Sequence, residues 1–196
     1  MRIIVIDFMS LDGVVQAPGG AEEDTDGGFQ HGGWSGPYFD EEVMGAAIGN
    51  VMDETEALLF GRRTWRVMAD AWPGRAGDPF ADHMNSLPKY VASRTLTDAD
   101  MTWNTALLPG DDAIGAIGDL RQRDGKALQV WGSSTLANQL VENDLVDEYV
   151  LMLEPIMLGG GKRVFPDDGR ARALELVSVT PAKTGVLVCR YRPAAG

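Results

Sequence analysis

A chain of 196 residues with 44% hydrophobic content is long enough to bury the core of one domain, which excludes intrinsic disorder as the default state. Acidic residues outnumber basic ones by 29 to 17, and the resulting net charge of -12 argues against a nucleic-acid or anionic-membrane surface. The single cysteine, Cys189, excludes an intrachain disulfide or multi-thiolate metal site, so we expect a cytoplasmic protein without a bound metal.

Short apolar segments rich in Val, Ile, Leu and Tyr predict the β-strands of this chain. The first segment meets Asp7 too soon to be a signal-peptide core or a membrane span, so we interpret it as a strand. Residues 101–107 are a weaker candidate for a further strand. The clearer strands are expected at 2–9, 57–60, 88–92, 127–131, 147–153, 173–180 and 185–191.

Three segments have the apolar spacing of amphipathic helices. In residues 40–54 the apolar side chains recur on one face, and Asp40 is a good N-cap. Residues 111–122 and 134–142 begin with acidic and hydroxylic side chains, as helices often do. Because strands and helices alternate before a final run of strands, we expect a mostly parallel sheet with an antiparallel C-terminal edge, in one domain spanning residues 1–196.

The segment 16–37 has neither pattern and combines glycines with acidic residues and a few aromatic ones. Loops of this length in compact domains are usually lids, binding loops or disordered segments. Its place directly after the first strand favours a mobile lid over a cleft. Trp34 within it either closes over a bound ring or simply anchors the loop on the core.

Three predicted strands end in glycine, arginine or hydroxylic residues, in the segments Leu58–Trp65, Val91–Thr95 and Val130–Leu136. Guanidinium groups bind phosphate oxygens bidentately, and helix N-termini favour anions. The alternative is that the arginines are solvated surface charge and that the hydroxyl groups only cap helices. Because the pattern occurs three times in an acidic chain, we favour a single nucleotide-sized cleft with a local basic lining.

Five motifs in a fixed order make the chain resemble the dihydrofolate-reductase-like superfamily, and more closely the reductase domain of bifunctional riboflavin-biosynthesis deaminase/reductase proteins. They are Ser10–Gly13, Gly61–Trp65, Pro88–Thr95, Gly132–Leu136, and Leu145–Glu148 continuing through Pro155–Gly159. The resemblance implies a doubly wound α/β fold, a central sheet of about eight strands and NADPH lying across its carboxyl ends. It also implies hydride transfer to a pterin- or aminopyrimidine-type ring, and a homodimer formed through the C-terminal strands.

The resemblance and the strand-end pattern indicate the same cofactor-binding residues. Arg62, Arg63 and Arg94 are candidates for binding the 2′-phosphate and pyrophosphate, and three arginines favour NADPH over NADH. Gly132 lets the backbone approach the ligand closely, and Thr64 and the amide groups around Gly61 are expected to face the pyrophosphate at a helix start. The complete set is Gly61, Arg62, Arg63, Thr64, Ser93, Arg94, Thr95, Trp131, Gly132, Ser133, Ser134, Thr135 and Leu136.

Candidate catalytic residues are carboxylates, although hydride transfer depends mainly on geometry and the exclusion of water. Dihydrofolate reductases use an acidic residue at the start of the helix after the lid, which is the position of Asp40; helix capping explains Asp40 equally well. Asp12 is a second candidate, although an Asp-Gly pair is also an ordinary turn. Asp7, Trp34 and Glu154 are candidates for contact with the substrate.

The leading hypothesis is an NADPH-dependent reductase that acts on a small heterocycle, without a nucleic-acid or membrane partner. One cysteine cannot complete the zinc motif of the riboflavin-pathway deaminases, so only their reductase step is expected. Two alternatives remain from other classes. One is a non-catalytic NADPH-binding sensor or regulatory protein, and the other is an acidic interaction module without a small ligand.

Overall fold

Residues 1–75 and 77–194 are described by a computed structural model of the protein. In this part of the chain the strands form one sheet of eight in the order β4-β3-β2-β5-β1-β6-β8-β7. The first six strands are parallel to one another, while β8 is antiparallel to β6 and β7 is antiparallel to β8. The strands are β1 (Arg2–Ser10), β2 (Thr55–Gly61), β3 (Lys89–Ala92), β4 (Thr105–Leu108), β5 (Ala127–Trp131), β6 (Glu148–Glu154), β7 (Leu174–Pro181) and β8 (Leu187–Pro193).

Helices cover both faces of this sheet. Alternate residues of a strand point to opposite faces, so a strand with apolar residues throughout needs a packing partner on each face. Leu58 and Phe60 of β2 pack in one buried cluster, and Ala57 and Leu59 pack in another. The first cluster includes residues of α1, α2 and α3, and the second includes residues of α4 and α5. The α-helices are α1 (Ala46–Asp53), α2 (Arg62–Ala71), α3 (Pro79–Ser86), α4 (Ala113–Arg121) and α5 (Ser134–Glu142). The predicted doubly wound α/β fold with an antiparallel C-terminal edge is therefore confirmed.

Two local differences from the sequence prediction have physical causes. The weak strand candidate at 101–107 becomes a shorter β4, because Trp103 and Asn104 have φ values of 55° and 52°, which a strand does not accommodate. The sequence pattern missed α2 and α3. The α2 sequence is polar on average, with arginine at positions 62, 63 and 66, although Trp65, Met68 and Ala69 form a face that packs against the core.

The predicted N-cap of the helix after the loop is confirmed. The N–H of Val43 donates to Asp40 Oδ1 at 2.9 Å. The first turn, Glu41–Gly45, is a π-helix in which the Gly45 N–H donates to the Asp40 carbonyl at 3.3 Å, and α1 continues from there. The Asp40 side chain therefore serves as the N-cap of this helix.

The glycine-rich segment 16–37 is held by hydrogen bonds within itself and to the segment between β6 and β7. The indole N–H of Trp34 donates to the Gln16 carbonyl at 2.8 Å, and the Gln16 side chain accepts from the Lys162 backbone N–H at 3.0 Å. Trp34 is buried, which agrees with its role as an anchor of the loop. The mobility of this loop stays a prediction. Within the ranges described, no helix has the length and apolarity needed to cross a membrane.

Candidate functional site

The three strand ends that carry arginine, glycine and hydroxyl groups lie side by side. Strands β3, β2 and β5 are consecutive in the sheet and parallel, so their carboxyl ends share one edge. They line a cleft of about 1700 Å³. This volume exceeds the roughly 300–1,000 Å³ of ordinary small-molecule pockets, so the cleft has room for a cofactor and a second molecule. We call the segments Gly61–Thr64, Ser93–Thr95 and Trp131–Leu136 the strand-end wall; all of them line the cleft.

Hydrogen bonds join the turns after β2 and β5 within this wall. The Gly61 N–H donates to Ser133 Oγ at 2.9 Å, and the Ser133 N–H donates to Thr64 Oγ1 at 3.1 Å. Gly132 and Ser133 have φ values of 51° and 57°, which turn the chain sharply into α5. The Ser133 hydroxyl therefore holds the β2 turn, and it makes no capping hydrogen bond to α5. The N-termini of α2 and α5 both lie at the cleft, where their dipoles favour an anion.

The basic side chains of the cleft differ in what they contact. Arg62 and Arg63 open α2, and Arg94 follows β3, where its Nε donates to the Gly110 carbonyl at 3.4 Å. Arg63 forms an ion pair with Asp26 of the loop. Lys162 pairs with Asp24 and Asp26, the latter at 2.9 Å.

Two of the cationic side chains that line the cleft, Arg63 and Lys162, are therefore already paired with carboxylates of the loop. The sequence analysis missed Lys162 as a cleft residue, because the Gly159–Lys162 segment looks like an ordinary turn and its contact with Asp24 joins residues distant along the chain. The only local signal was a lysine directly after three glycines.

The side chain of Ser93 stabilises the turn after β3. The N–H groups of Thr95 and Leu96 each donate to Ser93 Oγ at 3.1 Å. The Ser93 hydroxyl is thus already used as an acceptor. Ser134, Thr135 and Leu136 line the cleft at the start of α5.

Two buried polar atoms border the cleft without a hydrogen-bond partner among the described residues: Asp7 Oδ2 and Trp131 Nε1. Burial raises the pKa of Asp7 well above its ordinary value, and a backbone hydrogen bond from Gly132 lowers it less. Unpaired buried polar atoms are costly, so both atoms mark places where a ligand would restore a hydrogen bond. Asp7 shares its sheet face with Val5, and Trp131 packs on the opposite face with Ile6.

Glu154 is buried at the end of β6 and does not itself line the cleft. Its Oε1 accepts from Ser35 Oγ at 2.5 Å, and its Oε2 has no partner within the described ranges. Burial raises the pKa of Glu154 to about 7, and the Ser35 hydroxyl lowers it less. Ser35, which the sequence analysis did not single out, lines the cleft, whereas Glu154 reaches the cleft only through Ser35. No sequence pattern marks this pair, because 119 positions separate its members.

Besides Glu154, three predicted site residues lie outside the cleft lining: Asp12, Trp34 and Asp40. Asp12 accepts from the N–H groups of Leu158 at 3.1 Å and Gly159 at 2.8 Å, and its hydrogen bond with Ser10 contributes most to lowering its pKa to about 2. Asp12 therefore fixes the turn after β6, Asp40 caps a helix, and Trp34 anchors the loop. Neither Asp12 nor Asp40 lines the cleft, and each accepts backbone N–H hydrogen bonds, so their catalytic role stays a prediction.

Potential metal ligands do not cluster at the cleft. Over residues 1–75 and 77–194, no group of three or more His, Cys, Asp or Glu side chains is arranged to hold a metal ion. The chemistry available at the site consists of cations, helix N-termini, hydroxyl groups and two buried carboxyls, Asp7 and Glu154.

Comparisons with known proteins agree with this architecture. The family model described as the RibD C-terminal domain matches residues 2–188. The protein YyaP of Bacillus subtilis (strain 168) is 25% identical over 200 residues, covering 97% of this chain and 94% of that protein.

Three solved structures share the fold at low identity. A protein of Shewanella sp. PV-4, described as a candidate riboflavin biosynthesis protein, is 21% identical with a TM-score of 0.75, covering 100% of both chains. A pyrimidine reductase-like protein of Corynebacterium diphtheriae is 15% identical with a TM-score of 0.66, covering 100% of this chain and 92% of that one. A diaminohydroxyphosphoribosylaminopyrimidine deaminase/5-amino-6-(5-phosphoribosylamino)uracil reductase of Thermotoga maritima is 14% identical with a TM-score of 0.65, covering 98% of this chain and 56% of that one.

Proposed function

Since this chain belongs to the RibD C-terminal domain family, we propose that it is an oxidoreductase that uses NADPH to reduce a small nitrogen heterocycle. The observation that carries the proposal is the strand-end wall. It gathers arginines, hydroxyl groups and two helix N-termini at one edge of the sheet, in a protein whose net charge is -12. Such a local concentration of phosphate-binding chemistry against the overall charge suits a phosphorylated dinucleotide.

The proposed cofactor lies across the carboxyl ends of β3, β2 and β5. Arg62, Arg63 and Arg94 bind its phosphates, with the additional cation Lys162 on the loop side of the cleft. Gly132, with a φ of 51°, adopts the left-handed conformation that glycine favours and places no side chain between the backbone and the ligand. When bound, NADPH supplies the hydride, and the residues of the chain bind it, orient it and exclude water.

The proposed acceptor lies on the α1 side of the sheet, beside the cofactor. Phe8, Phe39 and Ile48 give this part of the cleft an apolar lining, which suits a flat ring. The Trp131 indole N–H, buried and unpaired within the described residues, is a donor for a ring nitrogen or carbonyl. These features suit the proposed acceptor, a pterin- or aminopyrimidine-type heterocycle.

The test of this function is oxidation of NADPH by the purified protein in the presence of dihydrofolate or 5-amino-6-(5-phosphoribosylamino)uracil, the acceptor named for the Thermotoga maritima reductase. We expect acceptor-dependent loss of nicotinamide absorbance, faster with NADPH than with NADH. Binding of NADPH without turnover of either acceptor would favour the sensor alternative. No binding of NADPH would contradict the proposal.

Substituting Asp26 with asparagine is expected to strengthen NADPH binding. Asp26 pairs with both Arg63 and Lys162, so it competes with the phosphates for these two cations. These ion pairs are partly exposed, so we expect a gain of about 1 kcal/mol, or roughly fivefold in Kd, measured by calorimetry. Glu42→Gln is the matched control, because it removes one carboxylate that does not line the cleft. Weaker or unchanged binding in Asp26→Asn would contradict the competition.

The proposed assembly is a homodimer through β7. This strand is exposed along its whole length and forms one edge of the sheet, beside β8. Its side chains Val177 and Val179 are 50% and 47% exposed, and edge strands with apolar side chains tend to be covered. A second copy is a suitable occupant because β7 can pair antiparallel with itself about a twofold axis.

Light scattering tests this interface. We expect a dimer for the parent protein and a monomer for Val179→Lys, since the added charge would be buried between the copies. The substitution Lys183→Ala, which alters the β7–β8 turn rather than the strand, is expected to leave the dimer intact. A monomeric parent protein would contradict the proposed interface.

A further inference from the structure

A carboxyl and a hydroxyl form an isolated buried pair beside the proposed substrate end of the cleft. Glu154 is 0% exposed and Ser35 is 5% exposed. Their side-chain oxygens, Glu154 Oε1 and Ser35 Oγ, are 2.5 Å apart. Burying a carboxyl is costly unless its oxygens are satisfied, yet Oε2 has no partner among the residues described. Loop anchoring alone does not require so costly a group.

The fold places this pair on the side of the sheet where the acceptor is proposed to bind. Glu154 is the last residue of β6 and shares a face with Val150 and Met152, which pack in the cluster that includes α1. Phe8, opposite Met152 in the neighbouring strand β1, packs on the same cluster and lines the cleft. Ser35 also lines the cleft while its hydroxyl donates to Glu154 Oε1, so this residue links the buried carboxyl to the ligand space.

The surroundings favour the protonated form of Glu154. On the neighbouring strand β1, Ser10 lies opposite Glu154. Two other carboxylates are near this strand: Asp7 points to the other face of the sheet, and Asp12 follows β1 and accepts hydrogen bonds from the Leu158 and Gly159 N–H groups. Strand β8 places Leu187 opposite Leu153. Across the cleft α1 is preceded by Glu41, which also lines the ligand space. Burial raises the pKa of Glu154 to about 7, so a large fraction of the carboxyl carries a proton near neutral pH.

We propose that Ser35 is the residue that delivers the proton to the reduced acceptor, and that Glu154 supplies this proton through the Ser35 hydroxyl. The inference rests on the proposed reductase function. Ser35 is the catalytic residue because it lines the ligand space. Glu154 is the positioning residue: it holds the Ser35 hydroxyl and replaces the proton that this hydroxyl gives up. Reduction of a C=N bond requires a hydride on carbon and a proton on nitrogen. NADPH supplies only the hydride, so the site also requires a proton donor.

The atoms and electrons of this step balance as follows. The reduced nicotinamide gives a hydride, carrying two electrons, to the carbon of the acceptor C=N bond and becomes oxidised. In the structure the Ser35 hydroxyl donates to Glu154 Oε1, so it first turns toward the acceptor, and the protonated Glu154 then donates to Ser35 Oγ. The nitrogen takes the proton of Ser35 Oγ as the π bond breaks, and Ser35 Oγ takes the proton of Glu154. The Glu154 carboxylate regains a proton from solvent when the product leaves.

A purely structural role for the pair makes different predictions from a proton relay. If Glu154 and Ser35 only anchor the loop, their substitution changes ligand affinity or stability, and the hydride-transfer step keeps its pH dependence. In a relay, the rate falls as pH rises through the pKa of Glu154, because the proton donor is lost. Restoring a hydroxyl at position 35 restores the rate.

The experiment is single-turnover oxidation of bound NADPH by 5-amino-6-(5-phosphoribosylamino)uracil or dihydrofolate, from about pH 5 to about pH 9, with NADPH affinity measured separately. For the parent we expect a rate that declines around pH 7. For Glu154→Gln and Ser35→Ala we expect rates roughly 100-fold lower, a flattened pH profile in Glu154→Gln and little change in NADPH affinity. Ser35→Thr, which keeps a hydroxyl, should recover much of the rate.

Parent-like rates and pH profiles in both Glu154→Gln and Ser35→Ala would overturn the relay while leaving the reductase function intact. Absence of NADPH binding, or of turnover with both acceptors, would instead overturn the reductase function and the relay with it. If Glu154→Gln does not fold, the solvent deuterium isotope effect on the parent's single-turnover rate gives the decision. A clear slowing in heavy water that Ser35→Ala abolishes supports the relay, and no slowing overturns it.

Discussion

The combined substitution Arg62→Ala and Arg94→Ala is expected to lower the affinity for NADPH by roughly 100-fold or more. Both arginines belong to the strand-end wall, Arg62 after β2 and Arg94 after the neighbouring strand β3. A hydrogen bond to a charged group contributes about 1.5–3 kcal/mol, so losing one bond from each arginine costs about 3 kcal/mol or more. Calorimetric titration of the variant and the parent with NADPH measures this difference. Arg63 is a weaker choice, because Asp26 already competes for it.

The matched control removes two positive charges elsewhere. Arg123 and Lys183 are exposed and do not line the cleft, so Arg123→Ala with Lys183→Ala changes the net charge equally without touching the wall. We expect its affinity for NADPH to stay within about twofold of the parent. Equal affinity in the Arg62→Ala/Arg94→Ala variant and in the parent would remove these arginines from the phosphate site.

Glu154 is expected to make the protein less stable as pH rises through the neutral range. The pKa of Glu154 is raised from an ordinary value of 4.5 to about 7, chiefly by burial. Between these values the unfolded chain has lost the proton and the folded protein has kept it. Because the folded state then binds more protons, the free energy of unfolding falls with rising pH, by about 3 kcal/mol in total. The effect is complete once pH exceeds the folded-state pKa.

Comparison with Glu154→Gln isolates this contribution, since Asp7 acts in the same direction in both proteins. Denaturant unfolding at several pH values should show Glu154→Gln gaining about 3 kcal/mol relative to the parent between acidic and mildly alkaline pH. Glu22→Gln, at an exposed position of the loop, should follow the parent. A constant difference between Glu154→Gln and the parent at all pH values would mean that Glu154 titrates normally.

The strand-end wall could be predicted because its information is local. In three segments, β-strand residue types are followed directly by residue types that bind phosphate. These segments are Leu58–Trp65, Val91–Thr95 and Val130–Leu136. Parallel strands present their carboxyl ends at one edge, so three such segments were expected to meet once the sheet was assumed to be parallel. The structure places β3, β2 and β5 as neighbours, which fulfils that expectation.

The parts that could not be predicted depend on contacts between distant positions. Nothing near Ser35 in the sequence indicates Glu154, and nothing near Arg63 indicates Asp26. Conversely, Asp12 and Asp40 looked catalytic because carboxylates after a strand or before a helix often are. Only the structure reveals that both carboxylates accept backbone N–H hydrogen bonds and lie outside the cleft lining. Sequence patterns identify residue types suited to chemistry but not which of them are already engaged.

Calorimetric titration of the parent protein with NADPH and, separately, with NADH tests the central proposal most directly. Arginines that contact the 2′-phosphate should make NADPH bind at least about tenfold more tightly than NADH, because one charged hydrogen bond contributes about 1.5 kcal/mol or more. Such a preference is the predicted result. Failure of both nucleotides to bind would contradict the assignment of the strand-end wall to a dinucleotide, and with it the proposed reductase.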